Sequence, residues 1–351
     1  MKRIFISLFF FAFMWTAAGA DASPELLFVR WPANPDAVWY SFRIVPVTQH
    51  FGRKEMRPPI YEDDHVFRDS VMIEKEITDS YDGPGILCCQ VKAIGLDGQS
   101  ISAYSAPVPM EKAAQEMERY APKIRVKYHE QNGTVLLYPA YSFVKIPHAV
   151  SYEVEITDEE PENPDGCEPS VHRISQGIVT IPELFDELPR QGTVWWRVRG
   201  LDENGGPVGV WSEAEKIVND PAENWETGIL GDSISHGGGR MSYSPADWPY
   251  NYAYYLDFPT INMSRSGDKT DDLLRRFDAD VLPFHVRYLL IMGGTNNLRC
   301  GGTAEEVISD LEALQEKCRD NDIKPVLLTI PPIAPEPVSY THLTLPTIYS
   351  V

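Results

Sequence analysis

The chain has no C-x-x-C pair, which removes the common ligand spacing of a structural zinc site and of a thioredoxin-type redox centre. It is short of basic residues: 31 Lys and Arg stand against 51 Asp and Glu, a formal net charge of -20. Such a surface repels nucleic acid and anionic membranes, so neither is an expected partner. No Gly-Lys-Ser/Thr follows Gly237-Gly238-Gly239, so those glycines are not a phosphate loop but a rim beside Ser233. Beyond the first residues no apolar run approaches the roughly 20 residues needed to cross a bilayer. Cysteine is sparse and odd in number: Cys88, Cys89, Cys167, Cys300 and Cys318 leave at least one thiol unpaired. Cys88 and Cys89, adjacent on a strand, point to opposite faces. Whether Cys300 and Cys318 pair across a helix is left open by spacing.

What is present begins with a leader. Lys2 and Arg3 precede an apolar run from Ile4 to Trp15, broken by Ser7, and Ala18-Gly19-Ala20 makes an A-x-A cleavage site. Residues 1–20 therefore read as a signal peptide cut before Asp21, and the mature chain is expected to be secreted or periplasmic. The 351 residues leave room for two or three domains.

Residues 24 to 218 read as β structure with an internal repeat. VKAIGLDGQSISAYS (Val91–Ser105) and VRGLDENGGPVGVWS (Val198–Ser212) have equal length, turn at Asp97-Gly98 and Asn204-Gly205, and end in aromatic-Ser. Upstream, Pro35-Asp36-Ala37-Val38 with Tyr40–Ile44 mirrors Pro147-His148-Ala149-Val150 with Tyr152–Ile156. The pattern resembles tandem fibronectin type III-like, immunoglobulin-type sandwiches at 24–109 and 123–218, with Trp31 and Trp196 as core aromatics. Residues 110–122, opening on MEKAAQEMERY, are charged and helix-prone and read as a linker; 219–224 read as a second linker.

From about 226 the pattern changes. Short apolar strands (Gly228–Leu230, Tyr288–Met292, Pro325–Ile330) alternate with helical stretches at 245–256, 268–279 and 303–320. That alternation predicts a parallel α/β sheet covered on both faces. Three polar segments follow its strands, where an open parallel sheet places its ligand site. Gly231-Asp232-Ser233-Ile234 presents Ser233 at a sharp turn. Ser264-Arg265-Ser266-Gly267-Asp268-Lys269-Thr270 sets the Gly267 N–H near a helix N-terminus. Gly293-Gly294-Thr295-Asn296-Asn297 offers the Asn296 carboxamide. Taken singly, Gly-Asp-Ser is more often a turn and Gly-Gly-Thr-Asn a plain loop. Asn262 reads as a brace for its loop. An α/β-hydrolase elbow fits worse, because Gly-x-Ser-x-Gly would need Gly where Ser235 stands.

In this order the three segments resemble the conserved blocks of the SGNH (GDSL-like) hydrolases, over residues 226–336. The resemblance implies a flavodoxin-like, three-layer α/β domain. It makes Ser233 the nucleophile and the Ser233 N–H, the Gly267 N–H and Asn296 the oxyanion donors. Asn297 stands where the family usually has Asp. No metal or organic cofactor is implied. The family's base comes from a late Asp-x-x-His block, and this chain has none: His342 follows Ser339 at the required position. His236 and His285 are expected to be pocket-lining or surface, and structural, respectively. The uncharged run 337–351 reads as a non-native tail resembling translated sequencing adapter. The α/β domain is thus expected to be truncated, and the 351-residue chain to be nearly inactive. The leading expectation is a secreted serine esterase acting through an acyl-enzyme on O-acetylated carbohydrate, with Tyr243, Trp248 and Tyr250 either stacking on sugar or packing the core. The alternatives are a non-catalytic carbohydrate-binding or scaffold protein with a degenerate hydrolase domain, and a lysophospholipase- or thioesterase-like hydrolase.

Overall fold

The computed structural model describes residues 25–34, 36–50, 53–95, 97–117, 120–125, 134–164, 166–237 and 251–331. Residues 1–20, expected to be a leader, residues 337–351, expected to be a tail and containing His342, and the segment with Tyr243, Trp248 and Tyr250 lie outside these residues.

The two β repeats have matching sheets. In the first, a five-stranded antiparallel sheet centres on Trp39–His50 and Ile86–Ile94, and a three-stranded sheet places Leu26–Arg30 between Ser70–Glu74 and Ala114–Met117. In the second, the five-stranded sheet centres on Ser151–Thr157 and Gly192–Leu201, and the three-stranded one places Ala140–Val144 between Glu183–Phe185 and Lys123–Arg125. The repeat seen in sequence is also a repeat of hydrogen bonds. Val91 N donates to Ser105 Oγ at 3.1 Å, and Val198 N donates to Ser212 Oγ at 3.0 Å. Asn34 N donates to the Tyr40 hydroxyl at 2.7 Å, and Ile146 N to the Tyr152 hydroxyl at 3.0 Å. Gly98 and Gly205 turn the equivalent hairpins at φ of 74° and 79°, a region that favours glycine. Trp196 is buried in the second core, and Trp31 stacks on Phe42 at 5.6 Å beside the first.

The linker expected at 110–122 is helical only over Met110–Ala113; Ala114–Met117 then pairs antiparallel with Leu26–Val29. Edge pairing on an otherwise open strand has overridden helix propensity there. Leu26–Arg30 is buried on both faces, which accounts for its continuous apolar run. Leu27 and Val29 enter the first core, while Leu26 and Phe28 pack with Tyr141 and Phe143 in the second.

A second difference concerns Thr134–Leu136, inside the span expected as the second sandwich. This strand pairs parallel with Thr260–Asn262. It forms one edge of a five-stranded parallel sheet that continues through Thr227–Gly231 and Tyr288–Met292 to Lys324–Leu327. The physical reason is apolar: Leu137 and Tyr138 pack with Trp225, Ile261 and Phe277 in the core of the α/β region. The chain therefore leaves the second β repeat after Lys123–Arg125, lays one strand on the α/β sheet, and returns at Ala140. Most of that repeat is an insertion between two parts of the α/β unit.

The central strand Thr227–Gly231 is buried throughout. Helix Thr270–Asp280 buries Leu273 and Phe277, and helix Ala304–Asp320 buries Val307, Leu311, Leu314 and Cys318 in the same core. Thr303 caps the latter through the Glu306 N–H, with Glu306 returning the bond. All five cysteines are free thiols; Cys318 faces the core and Cys300 is exposed, so the pairing left open by spacing does not form. No described helix is long and apolar enough to cross a membrane.

The insertion is fastened at its root by Asn219. Its fully buried Nδ2 donates to Leu136 O at 2.8 Å and to Arg190 O at 2.9 Å. Replacing it, Asn219→Ala, leaves one buried and one partly buried carbonyl without that donor. The expected loss is about 1 to 3 kcal/mol, read as a lower urea midpoint.

Candidate active site

The site is built at the C-terminal ends of three neighbouring strands. After Thr227–Gly231 the chain turns at Gly231, where a Cβ would stand 2.6 Å from Ser235 Oγ and 2.7 Å from Met292 O; only glycine fits that approach. Asp232 caps the single-turn helix Ser233–His236 by accepting from Ile234 N at 2.9 Å. Ser233 is the first residue of that helix and is half-buried. The turn behind it is pinned from several sides. Asn251 Nδ2 donates to Ile234 O and Ser235 O at 2.9 and 3.0 Å, and the Tyr252 hydroxyl donates to Ser235 Oγ at 2.9 Å. Asn262 Nδ2 also donates to Ser235 O at 2.9 Å, while its Oδ1 accepts from Ser264 N. Asn262 is thus the brace expected from the sequence.

Gly267 lies in an exposed turn after Thr260–Asn262 with φ of 89°. Asn296, half-buried, is the second residue of the short helix Thr295–Arg299, directly after the Tyr288–Met292 strand and its glycine pair. The three loops are tied to one another. Arg265 N donates to Gly231 O at 3.0 Å, joining the Gly267 loop to the base of the Ser233 turn. Asn296 Nδ2 donates to Asp268 O at 2.8 Å, joining the third segment to the residue after Gly267.

Sequence reasoning missed the group that holds this arrangement from behind. Asp268 is buried, and its carboxylate accepts from Arg265 Nε at 2.9 Å and from Arg276 Nε at 2.6 Å. Arg276 also donates to Met263 O at 2.5 Å, Gly231 O at 3.3 Å and Asp280 Oδ2 at 2.7 Å. Tyr138, from the insertion's root, completes the cluster by donating to Asp280 Oδ2 at 2.7 Å. A trace of it was in the sequence: Asp272, Arg276 and Asp280 recur at the four-residue spacing of one helix face.

His236 is neither surface nor pocket-lining. It is fully buried, its Nε2 lies 2.8 Å from Tyr138 O, and its ring sits 4.7 Å from that of Phe185. A carbonyl only accepts, so Nε2 carries the proton. His285 is an exposed turn residue at φ of 48°. Asp232 Oδ2, Ser264 Oγ and Thr295 Oγ1, each buried just beyond one of the three strands, have no hydrogen-bond partner among the described residues. An acidic depression of about 780 Å³ opens beside Asn297, bordered by Lys269, Asp271, Glu305 and Glu306. No cluster among the described residues is arranged to hold a metal ion.

Asn297 has a visible role. Its Oδ1 accepts from Thr270 N at 2.9 Å, capping helix Thr270–Asp280, and its Nδ2 donates to Thr270 Oγ1 at 3.0 Å. That hydroxyl already gives its proton to Asp310 Oδ2 at 2.6 Å. Asn297→Asp would set a second carboxylate against an oxygen with no proton to offer. It is expected to cost about 1 to 3 kcal/mol at pH 7 and less at pH 3, by urea unfolding.

Burial pushes the Asp232 carboxyl up to about 6; the Ile234 N–H opposes this and the nearby Asp268 charge adds to it. The folded value lies above the ordinary 3.8, so between about pH 4 and 6 the folded chain binds more protons than the unfolded one. Stability from this group is therefore present at low pH and lost as pH rises through about 6. Asp232→Asn keeps the cap acceptor without the charge. It is expected to raise stability at pH 8 by at most on the order of 3 kcal/mol and to change little at pH 3. An equal change at both pH values would contradict the assignment.

Residues 229–347 match the GDSL-like lipase/acylhydrolase family. The match continues past residue 336, into the segment read from sequence as a non-native tail. No curated protein matches the chain. Similar solved structures include a GDSL-like lipase from Bacteroides thetaiotaomicron (20% identity, covering 30% of this chain and 48% of that one, TM-score 0.25). Others are the esterase EstA from Pseudoalteromonas sp. (28%, covering 31% and 62%, TM-score 0.25) and an acetyl-xylooligosaccharide esterase from Geobacillus Stearmophilus (20%, covering 30% and 60%, TM-score 0.26). The chain thus spans about half to three-fifths of the length of these structures, and TM-scores this low add nothing to the family match. The C-terminal region of this chain is a GDSL-like lipase/acylhydrolase domain, matched over residues 229–347.

Proposed function

We propose that the chain is an exported serine hydrolase of carboxylic esters, with Ser233 as nucleophile. The supporting observation is the fastening of three strand-end loops, carrying Ser233, Gly267 and Asn296, through Arg265, Asp268 and Arg276. In this reading Ser233 Oγ attacks the acyl carbon. The carbonyl oxygen takes the negative charge and is met by the N–H groups of Ser233 and Gly267 and by Asn296 Nδ2. An amide nitrogen carries two hydrogens, so the bond to Asp268 O fixes the carboxamide while leaving one hydrogen to donate. Collapse releases the alcohol and leaves an acyl-Ser233 ester, which water hydrolyses to the acid. Fixed donors aimed at the developing oxyanion are the largest contribution expected in such a site.

The proton of Ser233 needs a base. His236 does not qualify, since Nε2 is engaged with Tyr138 O inside the core. In this proposal the base is a histidine oriented by a carboxylate, as the resemblance implies, and none of the described residues is assigned to it. For substrate, we propose O-acyl groups on carbohydrate, consistent with the leader and the appended β repeats.

The test is hydrolysis of p-nitrophenyl acetate by the protein with its full reading frame. Ser233→Ala is expected to abolish turnover. Asn296→Ala is expected to lower kcat by about 10² to 10³ with little change in KM. An unchanged rate in Ser233→Ala would end the proposal.

A further inference from the structure

Residues of both β repeats line a cleft of about 350 Å³, and none of the residues that surround Ser233 in sequence is among them. That volume is within the range of small-molecule sites, and domain boundaries are a common place for them. One wall is aromatic: Tyr61, His65 and Phe67 line it, and Trp39 stacks behind His65 at 6.1 Å with rings 16° apart. The strand Tyr61–Val66, which carries Tyr61 and His65 and leads into Phe67, is irregular. Phe42 pairs with Asp63 but Tyr40 with Val66, so an extra residue is accommodated between them. Such a bulge re-aims side chains, and here it lies at the cleft wall.

The polar groups are of both signs. Asp63 and Glu74 bring carboxylates, Lys145 brings an ammonium group, and His148 Nε2 stands 2.5 Å from Glu74 Oε1, joining the first repeat to the second. The Tyr61 hydroxyl is pushed up to about 12, by burial first and then by the charges of Asp63 and Glu74, so the phenol stays a neutral donor beside two acceptors.

We propose that this cleft binds a neutral oligosaccharide, one sugar face lying on Phe67 and Tyr61 and its hydroxyls paired with Asp63, Glu74 and Lys145. Charge decides against the alternatives. An anion meets two carboxylates, and a cation meets Lys145. An alkyl chain leaves the polar groups unpaired, which a buried site penalises heavily. A polyol offers donors and acceptors together, and its C–H faces suit aromatic rings. The inference goes beyond the esterase reading and does not rest on the role of Ser233, because the lining comes from the β repeats alone.

The experiment is isothermal titration of the 351-residue chain with xylohexaose and with mannohexaose at millimolar concentration. Saturable binding of at least one at a single site is expected. Phe67→Ala and Tyr61→Ala are each expected to weaken it at least tenfold. His65→Ala, at an exposed position whose replacement leaves the core intact, is expected to weaken it in the same direction. Ser233→Ala should bind as the unaltered chain does. No binding of either sugar overturns the proposal, as does unchanged binding in both Phe67→Ala and His65→Ala. Loss of binding in Ser233→Ala would place the sugar at the esterase site and also overturn it. Hydrolysis of p-nitrophenyl acetate by the protein with its full reading frame, unaffected by Phe67→Ala, reports on the catalytic reading separately.

Discussion

The contact on which the candidate site depends is the buried pair between Asp268 and Arg276. A guanidinium has five donors in a fixed plane, and here they reach a carboxylate in the Gly267 loop, a carboxylate on its own helix, and the carbonyls that end two adjacent strands. No other side chain could meet that set of acceptors at once. Asp268 completes the link through its own carbonyl, which accepts from Asn296. The positions of the Ser233, Gly267 and Asn296 loops are thus correlated through one ion pair set below them. Buried pairs of this sort are weak contributors to net stability, because desolvation offsets much of the attraction. Their value here is geometric.

The second organising feature is the way the β repeats and the α/β unit share parts. Thr134–Leu136 belongs to the parallel sheet although the chain before and after it builds the second repeat. Tyr138 carries this junction into the Asp280 and Arg276 cluster, and its carbonyl receives the His236 proton at the back of the Ser233 helix. Phe185 of the insertion packs on the same imidazole. Leu26–Arg30, with one face in each of two cores, joins the repeats in the same manner. The modules are joined by shared secondary structure as well as by linkers.

How much of this was legible in the sequence follows from the length of each signal. The segments around Ser233 and Asn296 stood out because each follows a continuous apolar run, and those runs are buried strands; the strand before the Gly267 segment, Thr260–Asn262, is too short and too polar to show. The 304–320 helix was legible from Val307, Leu311 and Leu314 at helical spacing. The paired hairpins were legible because their turn glycines recur in register. Thr134–Leu136 was not, since a three-residue edge strand is too short to show a period and polar residues precede it. Ala114–Met117 was hidden by a charged, helix-prone composition that strand pairing overrode. His236 was misplaced because a four-residue helix gives no periodicity from which to tell its inner face. The Asp268–Arg276 contact is tertiary, and only its four-residue echo on the helix was visible.

The insertion has a consequence for how the chain reaches this structure. Thr134 Oγ1 donates to the carbonyl of a residue 119 positions later, and the Tyr138 hydroxyl donates to a carboxylate 142 positions later. During synthesis the edge strand emerges long before the strand it lies against, and the β module between them emerges in the interval. Once folded, that module holds Leu136 and Asn219 together, so the distant ends no longer have to search for each other through an open loop. The inserted module acts as a clasp: with it formed, the edge strand is held close to where the rest of the sheet closes on it.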